Sequence, residues 1–414
     1  MAVNMIRNIR QMPYQHRSEG FCPLERMREQ RLWKLIVASL TAIVGLPAAV
    51  QLAILPAIVA LIAAVKGARR RAWNAVDPVN PANRNRGIGS FTEAECWRDL
   101  RFRKADLPEL MGLLQFPAII ELDNRTVVNG EYAFVLMLYR LHYPSTLAML
   151  QNPFGREYSQ LSRIFNSTIT LMHDLHSAKI LNNTAWYRSR FNMYNYAIRK
   201  KIATSAANQF PGLVPVELRD IFGFLDGTHR EICRPYGNNN AQFYFYNGYF
   251  REHVIMYLGL SFPDGMLVLD PPQPGYFTDT MQWRDSIMQN ELEAIMVERA
   301  QLNMPRLKVY ADKIFNSGSL ITAAYSLRHG PVSPWMTTLN AIMSPIRVAI
   351  EWVYGRVANL FKFTSFRQKL FESPVARTYH MTALLSNCRT CLYGCQENLH
   401  FDILPPTLRA YLTQ

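Results

Sequence analysis

Apolar positions along the chain follow one period in the first half and another in the second. From Phe91 onward they recur at helical spacing. Thr92 followed by Glu95 predicts a capping box, and Leu107, Leu110, Leu113 and Leu114 mark one face of a helix. Glu131 to Tyr143 predicts a further apolar helix, stopped by Pro144. The next stretch predicts a short helix ending near Asn152, a turn carrying Pro153 and Gly155, and a second helix from about Ser159. This is a helix-turn-helix-like pattern, with Leu161, Ile164 and Phe165 inside and Gln160 and Arg163 facing outward. Such a pair reads DNA in some proteins and is plain scaffolding in others.

The second half reads as short strands followed by helices. Ile221 to Leu225 predicts an apolar strand ending at Asp226. Phe243 to Phe245, His253 to Phe262 and Met266 to Leu269 predict further strands, the last two joined by a Pro263-Asp264-Gly265 turn. Leu307 to Ala311 predicts a strand ending at Asp312. Helices are predicted from about Asn340 to Phe361 and from Ser373 to Cys391. Strands and helices around one sheet give an α/β or α+β domain. The predicted organisation is an arm and linker over 1–90, an all-helical domain over 91–200, an α/β domain over 201–404 and a tail over 405–414.

The arm has its own pattern. Residues 1–34 are rich in arginine, 35–65 carry no charge, and Lys66, Arg69, Arg70 and Arg71 follow. The uncharged run is long enough to span a bilayer, although Pro47, Gln51 and Pro56 interrupt it. A kinked span, a helical hairpin, a leader and a buried helical arm all fit this pattern. Residues 74–90 read as a linker of turn formers.

Charge narrows the partners. A formal net charge of +14 points to a polyanion, either nucleic acid or an acidic membrane face. The six cysteines are too sparse for a disulfide scaffold in a chain of this size, which suits a reducing compartment. Cys388, Cys391 and Cys395 with His400 have a spacing that zinc could use, but the surrounding leucines also make them core residues of a helix. His173 and His176 stand one turn apart with no third ligand nearby. Between Arg356 and Arg389, the basic residues Arg356, Lys362, Arg367, Lys369 and Arg377 interleave with Phe361, Phe363, Phe366 and Phe371. That pattern fits a DNA strand passing by, or a core with a charged outer face.

Three carboxylates carry the candidate chemistry. Asp226 and Asp312 close buried strands, where a carboxylate is costly unless a cation or hydrogen-bond donors meet it. Glu351 shares a helix face with Asn340, Ser344 and Arg347. By itself the Arg347–Glu351 spacing describes an ordinary intrahelical ion pair. Converging with the two aspartates, Glu351 completes a site for hard divalent cations.

Asp-Gly-Thr-His at 226–229, Tyr-Ala-Asp-Lys at 310–313 and Asn-x6-Arg-x3-Glu-Trp-x2-Gly from 340 to 355 resemble the three acidic motifs of PIF/Harbinger transposases. Leu-Arg-Phe-Arg-Lys-Ala-Asp-Leu at 100–107, Tyr139-Arg140-Leu141 with Tyr143-Pro144, and Phe154-Gly155-Arg156 with 159–165 are similar to that family's N-terminal helical region. The resemblance runs from about Phe91 to Phe401. It implies an RNase H-like domain in which Asp226, Asp312 and Glu351 hold two Mg²⁺ ions about 3.5–4 Å apart, with Mn²⁺ as a substitute. It further implies cleavage of DNA, hydrolytic or by strand transfer, in the nucleus with a Myb-like DNA-binding partner; a silent DNA- or protein-binding descendant is the alternative. The membrane is the alternative location, through 35–65, and no oligomeric state follows. Arg347, Arg356, Lys362 and Arg367 join Gln160 and Arg163 as expected DNA contacts. One departure lies at Thr278-Asp279, where the family often has His-Asp. Asp279 is either a further metal or orienting carboxylate or a turn residue capping the next helix.

Overall fold

The computed structural model describes residues 79–181, 185–206, 213–236 and 239–413. The uncharged run 35–65, with its membrane alternatives, lies outside the described residues. Among those that are described, no helix is long and apolar enough to cross a membrane. Asn80–Ser145 and Phe154–Gln414 form one compact unit, and Thr146–Pro153 groups apart from it.

The capping box forms as the sequence predicts. The Thr92 hydroxyl accepts from the Glu95 amide, and the Glu95 carboxylate accepts from the Thr92 amide at 2.7 Å. Helix α1 (Leu107–Leu113) follows, with Leu107 and Leu110 buried. The segment 91–200 is not all helical. Strands β1 (Ile119–Glu121) and β2 (Val127–Asn129) pair as an antiparallel hairpin. Each is a three-residue alternation of exposed, buried and exposed positions, too short to register as a period. Helix α2 (Gly130–His142) is capped by Asn129, whose side chain accepts from the Tyr132 amide. Helices α3 (Leu147–Phe154) and α4 (Tyr158–Leu181) correspond to the helix-turn-helix-like stretch. Between them Gly155 has a φ of +62°, a left-handed conformation that a glycine adopts without penalty. On α4, Leu161, Ile164 and Phe165 are buried while Gln160 and Arg163 are exposed. Helix α5 is Phe191–Ser205.

The sheet forms around β3 (Ile221–Glu231). Its first five residues are fully buried, as expected of a central strand covered on both faces. The aromatic run expected as a strand at Phe243–Phe245 is the end of helix α6 (Asn239–Phe245). Short apolar runs fit either element, and this one is largely exposed rather than paired. Strands β4 (Tyr246–Asn247), β5 (Glu252–Ser261), β6 (Leu267–Leu269) and β7 (Gln273–Pro274) follow. Then come helices α7 (Asp279–Arg284) and α8 (Ile287–Gln301) and strands β8 (Lys308–Ala311) and β9 (Ile321–Ala323). The chain finishes with α9 (Pro334–Leu360), α10 (Val375–Tyr393), α11 (Gln396–Phe401) and α12 (Leu408–Thr413).

The sheet is mixed, with path order β4-β5-β3-β8-β9 and with β6 and β7 both pairing to β5. β5 runs antiparallel to β3, while β8 lies between β3 and β9 and is parallel to both. The tight turn between β5 and β6 is the expected one, with Gly265 at φ +81°. Its Asp264 is fully buried, where it accepts from the Tyr194 hydroxyl at 2.6 Å and pairs with Arg190 at 3.2 Å. One apolar core joins the sheet to the helices. Ile180 of α4, Tyr257 of β5, Leu269 of β6, Val353 of α9 and Tyr379 of α10 all belong to it. The expected helical and catalytic domains therefore share a core, each such buried side chain contributing about 1.5–3 kcal/mol.

Candidate active site

Register brings the two aspartates together, although β3 does not end at Asp226 as expected but runs on to Glu231 beside β5. β3 and β8 are parallel with Leu225 beside Ala311, so Asp226 and Asp312 follow side by side where β8 ends. The carboxyl ends of parallel strands are where open α/β sheets leave room for ligands.

Asp226 is held from several directions. Its Oδ1 accepts from the Gly227 amide at 3.0 Å, and its Oδ2 accepts from Arg347 at 3.2 Å. Its backbone carbonyl accepts from the Tyr354 hydroxyl at 2.7 Å. Burial raises its carboxyl above the ordinary aspartate range, and the opposing pull of Arg347 and Gly227 does not cancel this. Tyr354 is itself buried, which raises its hydroxyl well above the usual tyrosine value and keeps it a donor.

Asp279 is the fourth acidic group at the site, and it is not a helix cap. Thr278 takes that position, its hydroxyl accepting from the Met281 amide at 3.3 Å. The freed Asp279 carboxylate lies against Gly227, so close that a Cβ at 227 would collide with it. Its Oδ1 is buried with no hydrogen-bond partner. Burial first, then the charges of Asp226 and Asp312, push its carboxyl up to about 6. An orphaned carboxylate oxygen beside two more acids is a poor arrangement for an empty protein and a suitable one for a cation.

Glu351 reaches the site differently. It sits on α9 with its side chain 57% exposed and pairs with Arg347 at 3.4 Å. The same guanidinium holds Asp226, so Arg347 bridges the strand aspartate and the helix glutamate. Farther along that face, the Asn340 side chain brackets the backbone of Tyr325, donating at 2.8 Å and accepting at 2.9 Å. Ser344 is exposed. Among the described residues no three carboxylate, histidine or cysteine groups stand close enough to close around an ion.

The expected DNA contacts divide into two groups. Gln160, Arg163 and Lys362 are exposed. Arg356 is turned inward, where it pairs with the buried Glu397 and donates to the Gly265 carbonyl. Arg367 is exposed but bonded to Glu231 at 2.6 Å and Glu252 at 2.7 Å. The interleaved aromatics divide as well: Phe361 and Phe363 are core, while Phe366 and Phe371 are exposed. The cysteine group with His400 forms no metal cluster among the described residues. Cys388 is buried in α10, and the Cys395 thiol, pushed up to about 12 chiefly by burial, faces the Asp264 carbonyl. His176 hydrogen-bonds the Leu114 carbonyl oxygen at 2.6 Å, and His173 stacks on the buried His380.

Sequence reasoning passed over Tyr354 and Gly259. Gly259 faces Asp226 across the β3–β5 ladder, and a side chain there would strike the Tyr354 hydroxyl. The available signal was a glycine in a strand interior, which often marks a close approach.

Residues 225–387 match the family model described as DDE superfamily endonuclease. The matched span opens one residue before Asp226 and includes Asp279, Asp312, Glu351 and Tyr354. No curated protein and no solved structure matches the chain.

Proposed function

We propose that this protein is a divalent-metal-dependent DNA endonuclease of the transposase type, in the PIF/Harbinger group, with an RNase H-like catalytic domain. The observation that carries the reading is the gathering of Asp226, Asp279 and Asp312 at one end of the β3–β8 pair, with Glu351 joined to them through Arg347. The fold assignment is supported by strand order. β3 stands as first strand, β5 and β6 as antiparallel second and third, and β8 and β9 as parallel fourth and fifth.

Asp226, Asp279, Asp312 and Glu351 would hold Mg²⁺ or Mn²⁺, and the orphaned Asp279 oxygen is the observation that such an ion fits. Bound divalent ions supply Lewis acidity for attack on a phosphodiester and for departure of its 3′ oxygen. The chain's own residues position. Tyr354 fixes the Asp226 peptide, and Gly227 and Gly259 leave space for Asp279 and Tyr354. No protein nucleophile is required. Gln160, Arg163 and Lys362 extend the reading to duplex binding, with a Myb-like partner and a nuclear location as its wider setting.

The Arg347 bridge favours one second reading, a descendant that binds DNA without cutting, because a resident cation already balances Asp226 and Glu351. Nicking of supercoiled DNA separates the two. Mg²⁺-dependent cleavage by the intact chain, lost in Asp226→Ala, Asp312→Ala and Glu351→Ala with DNA binding retained, is the expected result. Cleavage that persists in Asp312→Ala refutes the nuclease assignment.

A further inference from the structure

We propose that the aromatic surface formed by α6 and the turn before α7 is a stacking platform for unpaired DNA bases, placed to hold a single-stranded segment beside the carboxylates. The proposal rests on the nuclease reading for its substrate and on separate observations for its site.

Phe243 is 72% exposed, Tyr244 49% and Tyr276 41%. One exposed aromatic ring is ordinary on a protein surface, whereas several exposed rings in contact mark an interaction surface. The rings form a connected series. Phe243 and Tyr244 lie 5.8 Å apart, Tyr244 and Tyr276 5.6 Å, and Tyr276 and Phe277 4.5 Å. The series is braced by backbone. The Tyr276 amide donates to the Tyr244 carbonyl at 3.0 Å, and Gly275 lies so near the Phe245 carbonyl that a side chain would not fit.

Position and charge choose the occupant. Phe277 precedes Asp279 by two residues, a backbone reach of at most about 7 Å. The platform thus leads to the acidic site. Arg234, which is exposed, supplies a cation at the platform, bonded to Gln242 of α6 at 2.7 and 3.0 Å. The chain as a whole carries a net charge of +14. Aromatic faces beside cations take bases of any sequence when those bases are unstacked, and a paired duplex offers no free base face.

The experiment measures fluorescence anisotropy of the full chain in chelator, so that no cleavage occurs, with a labelled single-stranded oligonucleotide and the matching duplex. Phe243→Ala, Tyr244→Ala and Tyr276→Ala should each weaken single-strand binding about tenfold and change duplex binding by less than about twofold. Tyr244→Phe and Tyr276→Phe, which keep the ring, should bind as the parent does. A 2-aminopurine in the strand should be quenched by the parent and not by Tyr244→Ala. Undiminished single-strand binding in the alanine variants, or an equal loss on both DNAs, overturns the platform. So does a parent chain that fails to bind the single strand. Because the assay needs no cleavage, its failure leaves the nicking test of Asp226 and Asp312 standing, and the reverse also holds.

Discussion

Arg347 donates to Asp226 at 3.2 Å and to Glu351 at 3.4 Å, joining a strand carboxylate to a helix carboxylate through one guanidinium. The Asp226 carboxyl stays above the ordinary aspartate range despite that partner, because burial outweighs the attraction. The site thus already contains a cation, in the place where two acidic motifs meet. A divalent ion drawn to these carboxylates competes with it.

Removing the guanidinium should therefore tighten metal binding. At about 4 Å and an effective dielectric near 20, one unit charge is worth up to about 4 kcal/mol, and screening of the exposed Glu351 reduces this. Arg347→Gln is expected to bind Mn²⁺ about tenfold more tightly by calorimetry and to melt at a lower temperature in chelator. Affinity equal to or weaker than that of the parent would show that Arg347 does not compete for the carboxylates.

Asp279 predicts a pH dependence of defined sign. Its folded value of about 6 exceeds the ordinary 3.8, so its contribution is favourable below about pH 4 and is lost as pH rises through 6. The shift corresponds to a loss on the order of 3 kcal/mol. Asp270, also pushed up to about 6 by burial, adds a similar slope, so the informative quantity is the difference between parent and variant. Asp279→Asn should stabilise the metal-free chain at pH 7 and have little effect near pH 4. It should also reduce the rise in melting temperature that Mn²⁺ produces. Lower stability at pH 7 than the parent would contradict the orphaned-carboxylate account.

Tyr354, Gly259 and Asp226 make a three-body arrangement that a double-mutant cycle can read. Tyr354→Phe removes the bond to the Asp226 carbonyl and should cost about 1 kcal/mol. Gly259→Ala places a methyl group against the hydroxyl and should cost more. The double variant lacks the hydroxyl that the methyl would strike, so it should be less destabilised than the sum of the two. Additive losses in thermal melts would mean that the two residues do not meet.

The sequence made some of this legible and not the rest, for physical reasons. Asp226 and Asp312 could be read because buried strands announce themselves as apolar runs, and a charge closing such a run is conspicuous. The helix face of Asn340, Arg347 and Glu351 followed from spacing alone. That Arg347 crosses from Glu351 to Asp226 depends on how α9 packs against β3, which no local pattern encodes. The same is true of Asp279. In sequence it resembles a cap, and only the neighbouring Thr278 taking that position turns its carboxylate toward Gly227. A run of aromatics suits both a strand and the helix that forms at Asn239–Phe245, and the exposure that distinguishes them is a tertiary property. The charge of Arg356 is visible in sequence and suggests a DNA contact, while its buried partner Glu397, 41 residues away, is not visible there.

Arg356 and the exposed basic residues should separate cleanly by measurement. Glu397 is only 1% exposed, so Arg356→Ala leaves a buried carboxylate without its partner and should cost about 3 kcal/mol. Its duplex affinity, measured below the lowered melting point, should match that of the parent. Arg163→Ala and Lys362→Ala remove exposed charges with little structural role and should leave the melting temperature within a degree or two. Each should weaken duplex binding and reduce the slope of log affinity against log salt by about one. An unchanged salt slope in both would remove Arg163 and Lys362 from the DNA surface. A reduced slope in Arg356→Ala would mean that its guanidinium leaves Glu397 to meet a phosphate.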